Sequence, residues 1–431
     1  MKHFYQLVKA TTTASLTLCF ASLAFAQNVA LVGATVHTLS DTGTLENATV
    51  LMADGNIEAV GEDLNVPQNY ERIDVTGKVI TPGLFGAFTS LGLQEVSSSA
   101  GVVDDRVKAH PVSATGAAYD ASYAINPDSS LMAITRVEGF TTAASGLSDT
   151  DQLFTGQGAV ISLANTTSPV LKPRAFVHTR VDNRGAAGNG DSRAALWVAL
   201  DQVLNEAAGA TSADLAVGAD WHGLTSKADV KALKSVLAGT TPLLVTANRA
   251  ADIRQVIALK QRFSSLKLVI VEGLEAWRVA SELASAQIPV IINPEYNLPG
   301  GFDQMGATLA NAARLHEAGV TVAIGMDTHN IRLATQHAGN AVANGLPHEV
   351  GLKAVSLNPA IIYGVSDRMG SIESGKMANI VVWSGDPLEV TEAAEQVWIN
   401  GEPTEMTSRQ IKLRDRYLQL NQAKTQPYVR P

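Results

Sequence analysis

The chain has 431 residues, 46% apolar and 17% charged, with a formal net charge of −9. That length admits one large domain plus a smaller one, and the composition excludes an intrinsically disordered chain. The acidic balance, with no basic stripe, argues against nucleic acid as a partner.

Lys2 and Lys9 give the amino terminus a positive start, residues 14–25 are largely apolar, and Ala24-Phe25-Ala26 is a small-x-small step. This pattern predicts a secretory signal peptide over residues 1–26, cleaved between Ala26 and Gln27, and a periplasmic or secreted mature protein. The apolar run is too short for a permanent membrane span, and no later stretch is long enough either. Cys19, the only cysteine, leaves with the signal. The mature chain then has neither a disulfide nor a thiol nucleophile or ligand.

Residues 28–80 predict short strands with turns. Val29-Ala30-Leu31-Val32, Ala34-Thr35-Val36-His37-Thr38 and Ala48-Thr49-Val50-Leu51-Met52 are rich in β-branched residues, and Asp54-Gly55 is a hairpin pair. From residue 84 to about 370, apolar strand-like runs alternate with helical stretches. Runs at 242–245, 266–271, 289–292 and 320–324 alternate with helices predicted over 250–263, 275–286 and 302–318. Continuous apolar runs are the mark of buried parallel strands, and serial βα units point to a parallel barrel or an open doubly wound sheet. Strand grammar returns at Asn379-Ile380-Val381-Val382-Trp383 and Gln396-Val397-Trp398-Ile399, followed by a polar helix predicted over 408–420. The glycine-rich segment 181–192 reads as a loop, placed to act as a lid. Gly156-Gln157-Gly158 precedes a strand-like run rather than a helix, so it is not a phosphate-binding turn, and no Gly-x-Ser-x-Gly elbow occurs.

Four segments together carry a family resemblance. They are residues 53–61 (Ala-Asp-Gly-Asn-Ile-Glu-Ala-Val-Gly), residues 75–84 ending in Thr81-Pro82-Gly83-Leu84, Asn358-Pro359-Ala360, and residues 370–380 from Gly370-Ser371-Ile372 to Ala378-Asn379-Ile380. In this order the chain resembles the amidohydrolase superfamily. The resemblance implies an α/β fold, a (β/α)8 TIM-like barrel with a small composite β-sandwich formed by both chain ends. It implies a sandwich from residues 27–82 plus 371–405, a barrel over 83–370, and a C-terminal helix and tail over 406–431.

The resemblance also implies a metal centre at the barrel mouth. The family's first strand ends in two histidines one residue apart; here Phe88 and Ser90 stand in those places. Phe88 cannot ligate, and Ser90 is a poor neutral donor. Thr246 stands where the fifth strand offers a histidine, the sixth strand ends at Val271-Glu272-Gly273 without one, and the fourth-strand bridging residue has no evident counterpart. The eighth-strand aspartate is present as Asp327 in Gly325-Met326-Asp327-Thr328-His329. Asp327 is therefore the catalytic candidate, a general base, with a helix cap as its structural alternative. Asp327, His329 and Glu272 are the candidate metal ligands, for zinc or another divalent ion, with no cofactor assigned. Asn248, Arg249, Glu295 and His337 are the candidate substrate residues. Arginine suits two-pronged capture of a carboxylate, and its structural alternative is a salt bridge to Asp252.

Two functions stay open. One is hydrolysis, by an activated water, of an amide or cyclic amide other than an ordinary peptide bond. The other is an inactive barrel that binds a small-molecule ligand or pairs with a related active amidohydrolase. A homodimer is compatible with either.

Overall fold

A computed structural model describes residues 28–95, 104–296, 298–326 and 328–418. The signal-peptide expectation over residues 1–26, and Cys19 within it, lies outside the described residues. Among those described, no helix is long and apolar enough to cross a membrane.

The two chain ends share one eight-stranded sheet. Strand Val29–His37 is its centre: its first half pairs in parallel with Glu71–Asp74 and its second half with Val79–Pro82, while Thr44–Ala53 lies antiparallel beside it. The two apolar runs expected there are one strand. Gly33 sits between them at φ +92°, and a Cβ there would lie 2.4 Å from the Thr76 hydroxyl, so only glycine fits the irregular step. The carboxyl end is stitched in where Ile380–Trp383 pairs antiparallel with Val79–Pro82, Ile380 opposite Pro82. The sheet closes over its own core of Leu31, Val36, Val50, Met52, Ile80, Ile380 and Trp398.

The second sheet is the barrel. Its strands, numbered here in chain order, are β1 Leu84–Thr89, β2 Phe140–Ser145, β3 Phe154–Ser162, β4 Val170–Arg180, β5 Leu243–Ala247, β6 Leu268–Glu272, β7 Val290–Ile292 and β8 Val322–Ile324. They neighbour one another in sequence order. The ring is joined where Phe88 bridges Met326 in parallel and the Phe88 amide donates to Gly325 O at 3.0 Å. The parallel barrel of the sequence reading is present, with one departure: β3 runs antiparallel to both β2 and β4. Residues 140–180 thus form a meander with no crossover helix; a helical crossover, Ser130–Val137, joins the parallel β1 and β2, and the serial βα pattern resumes from β4 onward.

The barrel interior is filled by Phe85, Val160, Phe176, Leu244, Val269 and Ile291, with Tyr363 inserted from the connection after helix Leu357–Ile362. Tyr363 stacks on Phe85 at 5.9 Å between ring centres and lies 5.5 Å from Phe176. These rings explain Gly156-Gln157-Gly158. A Cβ on Gly158 would come within 2.0 Å of the Phe176 ring, so that glycine makes room for an aromatic core.

Local expectations are corrected in three places. The helix expected over 302–318 is only Asn311–Glu317, with a single 3-10 turn at Phe302–Gln304. The Gly306 amide donates to Glu275 Oε1 at 2.8 Å and Gly306 O accepts from Trp277 Nε1 at 2.6 Å, contacts that hold this backbone outside helical geometry. The helix expected over 275–286 is split into a 3-10 turn, Ala276–Val279, and Ala280–Ser285. Segment 181–192 is not simply a loop: Asn183–Ala187 is helical, its first turn capped by Asp182 accepting from the Gly185 amide.

Candidate functional site

Strand alternation decides which side chains reach the mouth. On β4, Phe176 belongs to the interior core, so His178 and Arg180, two and four residues on, share its face. On β5, Leu244 is interior, and Thr246 and Asn248 follow it upward. The inner column therefore turns from apolar to polar towards the C-terminal end, the end that carries active sites in barrels.

His178 is the first polar layer. It is buried, with Nδ1 2.9 Å from the Thr155 hydroxyl and Nε2 2.9 Å from the Thr246 hydroxyl. The Phe88 ring packs 4.8 Å from it, centre to centre. Burial, aided by the positive charge of Arg180, pushes its pKa down to about 3, so the imidazole is neutral at ordinary pH. His178 is interior, on the strand whose bridging residue has no evident counterpart in the sequence.

Arg180 forms the next layer. Its guanidinium is 15% exposed and pairs with Asp182 and, at 3.3 Å, with Glu272 Oε1. The other oxygen of Glu272 accepts from Asn248 Nδ2 at 2.6 Å. Burial favours the uncharged form of both members of the Arg180–Asp182 pair. Their mutual attraction outweighs it, with the charge of Glu272 raising the Arg180 pKa and the hydrogen bond from Arg180 lowering that of Asp182. Val269 and Val271 point inward on β6, so alternation assigns Glu272 to the outer face. Its backbone takes φ +71°, followed by Gly273 at φ +58°. This left-handed step, unfavourable for a side chain with a Cβ, accompanies the turn of the carboxylate toward Arg180 and Asn248.

Beyond this layer the mouth opens into a cleft of about 470 Å³, within the size range of small-molecule sites. Glu272 and Leu274 line it from β6, and Asn293, Glu295, Tyr296, Leu298, Gly300 and Gln304 from the segment after β7. Glu295 is more than half exposed, and its Oε2 lies 3.0 Å from Nε2 of the buried His337 on helix Ala334–Ala343. Asn293 Oδ1 accepts from the Glu295 amide at 3.0 Å. A larger cavity, about 660 Å³, lies between helix Ser130–Val137 and residues 399–412. It includes Ala164 and Asn165, which follow the end of β3, and Ser162 pairs with Thr142 near the start of β2. That cavity therefore sits at the N-terminal face, where barrels carry stability rather than chemistry.

The candidate residues divide accordingly. Glu272 and Asn248 meet at the mouth, and Glu295 and His337 form a second pair on the same cleft. Arg249 is turned elsewhere: Nε and Nη2 each donate to Asp252 at 2.8 Å, and Asp303 lies 3.9 Å away. His329 directs Nε2 to Glu95 O at 3.0 Å. Asp327 lies outside the described residues.

A divalent centre needs three or four nitrogen, oxygen or sulfur donors around one point. Among the described residues no group of three His, Cys, Asp or Glu is placed to share an ion. Ser90 Oγ donates to Gly146 O at 2.7 Å, the Ser90 amide donates to Thr328 Oγ1, and Phe88 packs its ring against His178 and Phe176. Arg180 places a fixed positive charge beside Glu272, a candidate ligand. The described donors do not fit a histidine-built zinc centre.

Residues 217–407 match the amidohydrolase family. A stretch of 57 residues is 47% identical to the amidohydrolase tasK of Hapsidospora irregularis; it makes up 13% of this chain and only 6% of that longer relative. An amidohydrolase from Thermotoga maritima MSB8 has a similar structure, with a TM-score of 0.76 at 27% identity over 88% of this chain and 99% of its own. A putative prolidase from Bifidobacterium longum shares the fold at 20% identity and a TM-score of 0.52, covering 93% of this chain and 100% of its own. The molinate hydrolase structure does so at 17% identity and 0.53, covering 94% and 98%. The matched segment, the barrel and the sheet built from both chain ends make this chain similar in fold to the amidohydrolases, with the family match confined to residues 217–407.

Proposed function

We propose that the chain is an exported hydrolase that cleaves a carbon–nitrogen bond other than an ordinary peptide bond, in an amide or cyclic amide small enough for the cleft at the barrel mouth. The amidohydrolase match over residues 217–407 supports the reaction class. The observation that carries the reading is the Glu295–His337 pair on that cleft. Glu295 is exposed enough to accept a proton from an attacking water, and the buried imidazole holds the carboxylate in one orientation. Asn293, which lines the cleft, contributes a polar group for orienting the amide. The test is a screen of the purified mature protein against small amides, cyclic amides and N-acyl amino acids, with Glu295→Gln beside the wild type. Turnover that is lost in the variant supports the reading; no turnover, or turnover unchanged in E295Q, overturns it.

A second reading has its own observation. The Phe88 ring, 4.8 Å from His178, occupies the place of a first-strand ligand, and this favours a barrel that binds a ligand or pairs with an active relative without turnover. Ligand-induced stabilisation without product formation, or purification with a histidine-bearing relative, supports that alternative.

A further inference from the structure

The ends of β4 and β6 bring two carboxylates to one cation. Asp182 follows β4 and its side chain is 8% exposed; Glu272 ends β6 and its side chain is 26% exposed. Arg180 reaches both. Nε donates to Asp182 Oδ1 at 3.2 Å and Nη2 donates to Asp182 Oδ2, while the same Nη2 lies 3.3 Å from Glu272 Oε1. Each carboxylate has a second anchor: Asp182 Oδ1 accepts from the Gly185 amide at 3.0 Å, and Glu272 Oε2 from Asn248 Nδ2 at 2.6 Å. Three elements are tied by this arrangement, β4, the β5 end and β6, and the left-handed backbone of Glu272 is part of it.

Two carboxylates held this close, with little solvent, repel unless a positive charge stands between them. In a metal-binding barrel a divalent ion supplies that charge and joins strand ends at the same time. Here the described side chains do not form a three-donor group, and a guanidinium already occupies the convergence point.

We propose that Arg180 is the resident cation of the barrel mouth, replacing a divalent ion in joining the β4 and β6 ends, so that the fold and mouth of this chain are independent of metal. The inference does not depend on hydrolysis. A catalytically silent barrel needs the same charge balance.

The test uses the mature protein and two variants, Arg180→Ala and Arg180→Ala/Glu272→Gln, with Glu272→Gln in the wild-type background for comparison. Thermal unfolding is followed with EDTA, with buffer alone and with millimolar zinc, and zinc content is measured after dialysis. The wild type is expected to keep one Tm in all three conditions and to retain no stoichiometric zinc. R180A is expected to lose about 5 °C, the scale of one broken, partly buried ion pair in a large domain. E272Q then raises the Tm of R180A while lowering that of the wild type, because it relieves repulsion only when the cation is gone. A wild-type protein that retains stoichiometric zinc and loses Tm in EDTA overturns the proposal. So does an E272Q effect of the same sign and size in both backgrounds. Should R180A fail to fold, Arg180→Lys and the neutral triple variant R180A/D182N/E272Q decide the question. Folding of either supports a charge role; failure of both refutes it.

Discussion

His178 makes a sharp pH prediction. Its imidazole is 1% exposed between the hydroxyls of Thr155 and Thr246, and its pKa falls from 6.5 to about 3 through burial and then the charge of Arg180. The sign follows from proton counting. Between pH 6.5 and 3 the unfolded chain binds a proton on this imidazole that the native protein refuses, so stability falls as pH falls through that window. At 1.36 kcal/mol for each pKa unit, lowering the pH from 6.5 to 4.5 costs about 2.7 kcal/mol from this one group. Urea unfolding at pH 7 and pH 4.5 measures the loss, and His178→Gln isolates it. Glutamine retains a polar partner for the threonines but does not titrate. H178Q is expected to be the less stable protein at pH 7 and to lose about 2.7 kcal/mol less than wild type on acidification. His37, whose pKa is also lowered by burial and by His348, is present in both proteins and cancels. Below pH 4.5 carboxylates held low by their partners, such as Asp182 and Asp229, add their own losses, which is why the comparison stops there. Equal acid losses in wild type and H178Q refute the reasoning.

Gly158→Ala places a methyl group 2.0 Å from the Phe176 ring and is expected to cost about 3 kcal/mol or more in urea unfolding, with Phe176→Leu recovering part of it. Asp229 is fully buried and accepts from Ser113 Oγ and from the amides of Ala114, Thr115, Ala118 and Ser226. Asp229→Ala leaves these donors unsatisfied, with an expected loss of about 3–5 kcal/mol and faster proteolysis within residues 108–126. For any amide found to be a substrate, E295Q is expected to lower kcat/KM about 100-fold or more. The same substitution is expected to leave Tm nearly unchanged because Glu295 is exposed. A kcat/KM within a few fold of wild type removes Glu295 from the chemistry.

The fold was legible because its signals are local. The Asp54-Gly55 hairpin and the apolar runs at β5 to β8 each state their structure within a few residues. The meander at 140–180 was not legible as such. Its glycines serve a ring that arrives from β4, and that contact exists only in three dimensions. The helix expected across 302–318 failed for a similar reason: its apolar spacing is helical, but Glu275 and Trp277 capture the backbone at Gly306. Glu272, Asn248, Glu295 and His337 stood out in the sequence as candidates, but their pairing is a three-dimensional contact that the sequence does not display. Arg180 and His178 were missed because the first half of β4 contains Lys172-Pro173-Arg174, a polar and proline-containing stretch that hides a strand. Counting two and four residues on from Phe176, in Ala175-Phe176-Val177-His178-Thr179-Arg180, was the signal that could have found them.

The layering of the barrel explains how fold and site can be read so unequally. Along β4 the inward side chains pass from Phe176 to His178 to Arg180, and along β5 from Leu244 to Thr246 to Asn248. The lower layers are held by packing with Tyr363, Phe85 and Phe176, contacts that place no demand on the charge at the mouth. Only the upper layers meet the cleft, and there a change of one side chain alters the chemistry without disturbing the core below. A barrel built this way can carry Phe88, Thr246 and Arg180 at its mouth and still close through the Phe88–Met326 bridge. What it cannot exchange freely is charge balance. Once Asp182 and Glu272 face the same point, a cation must stand there, and in this chain the residue in contact with both is an arginine supplied by β4 itself.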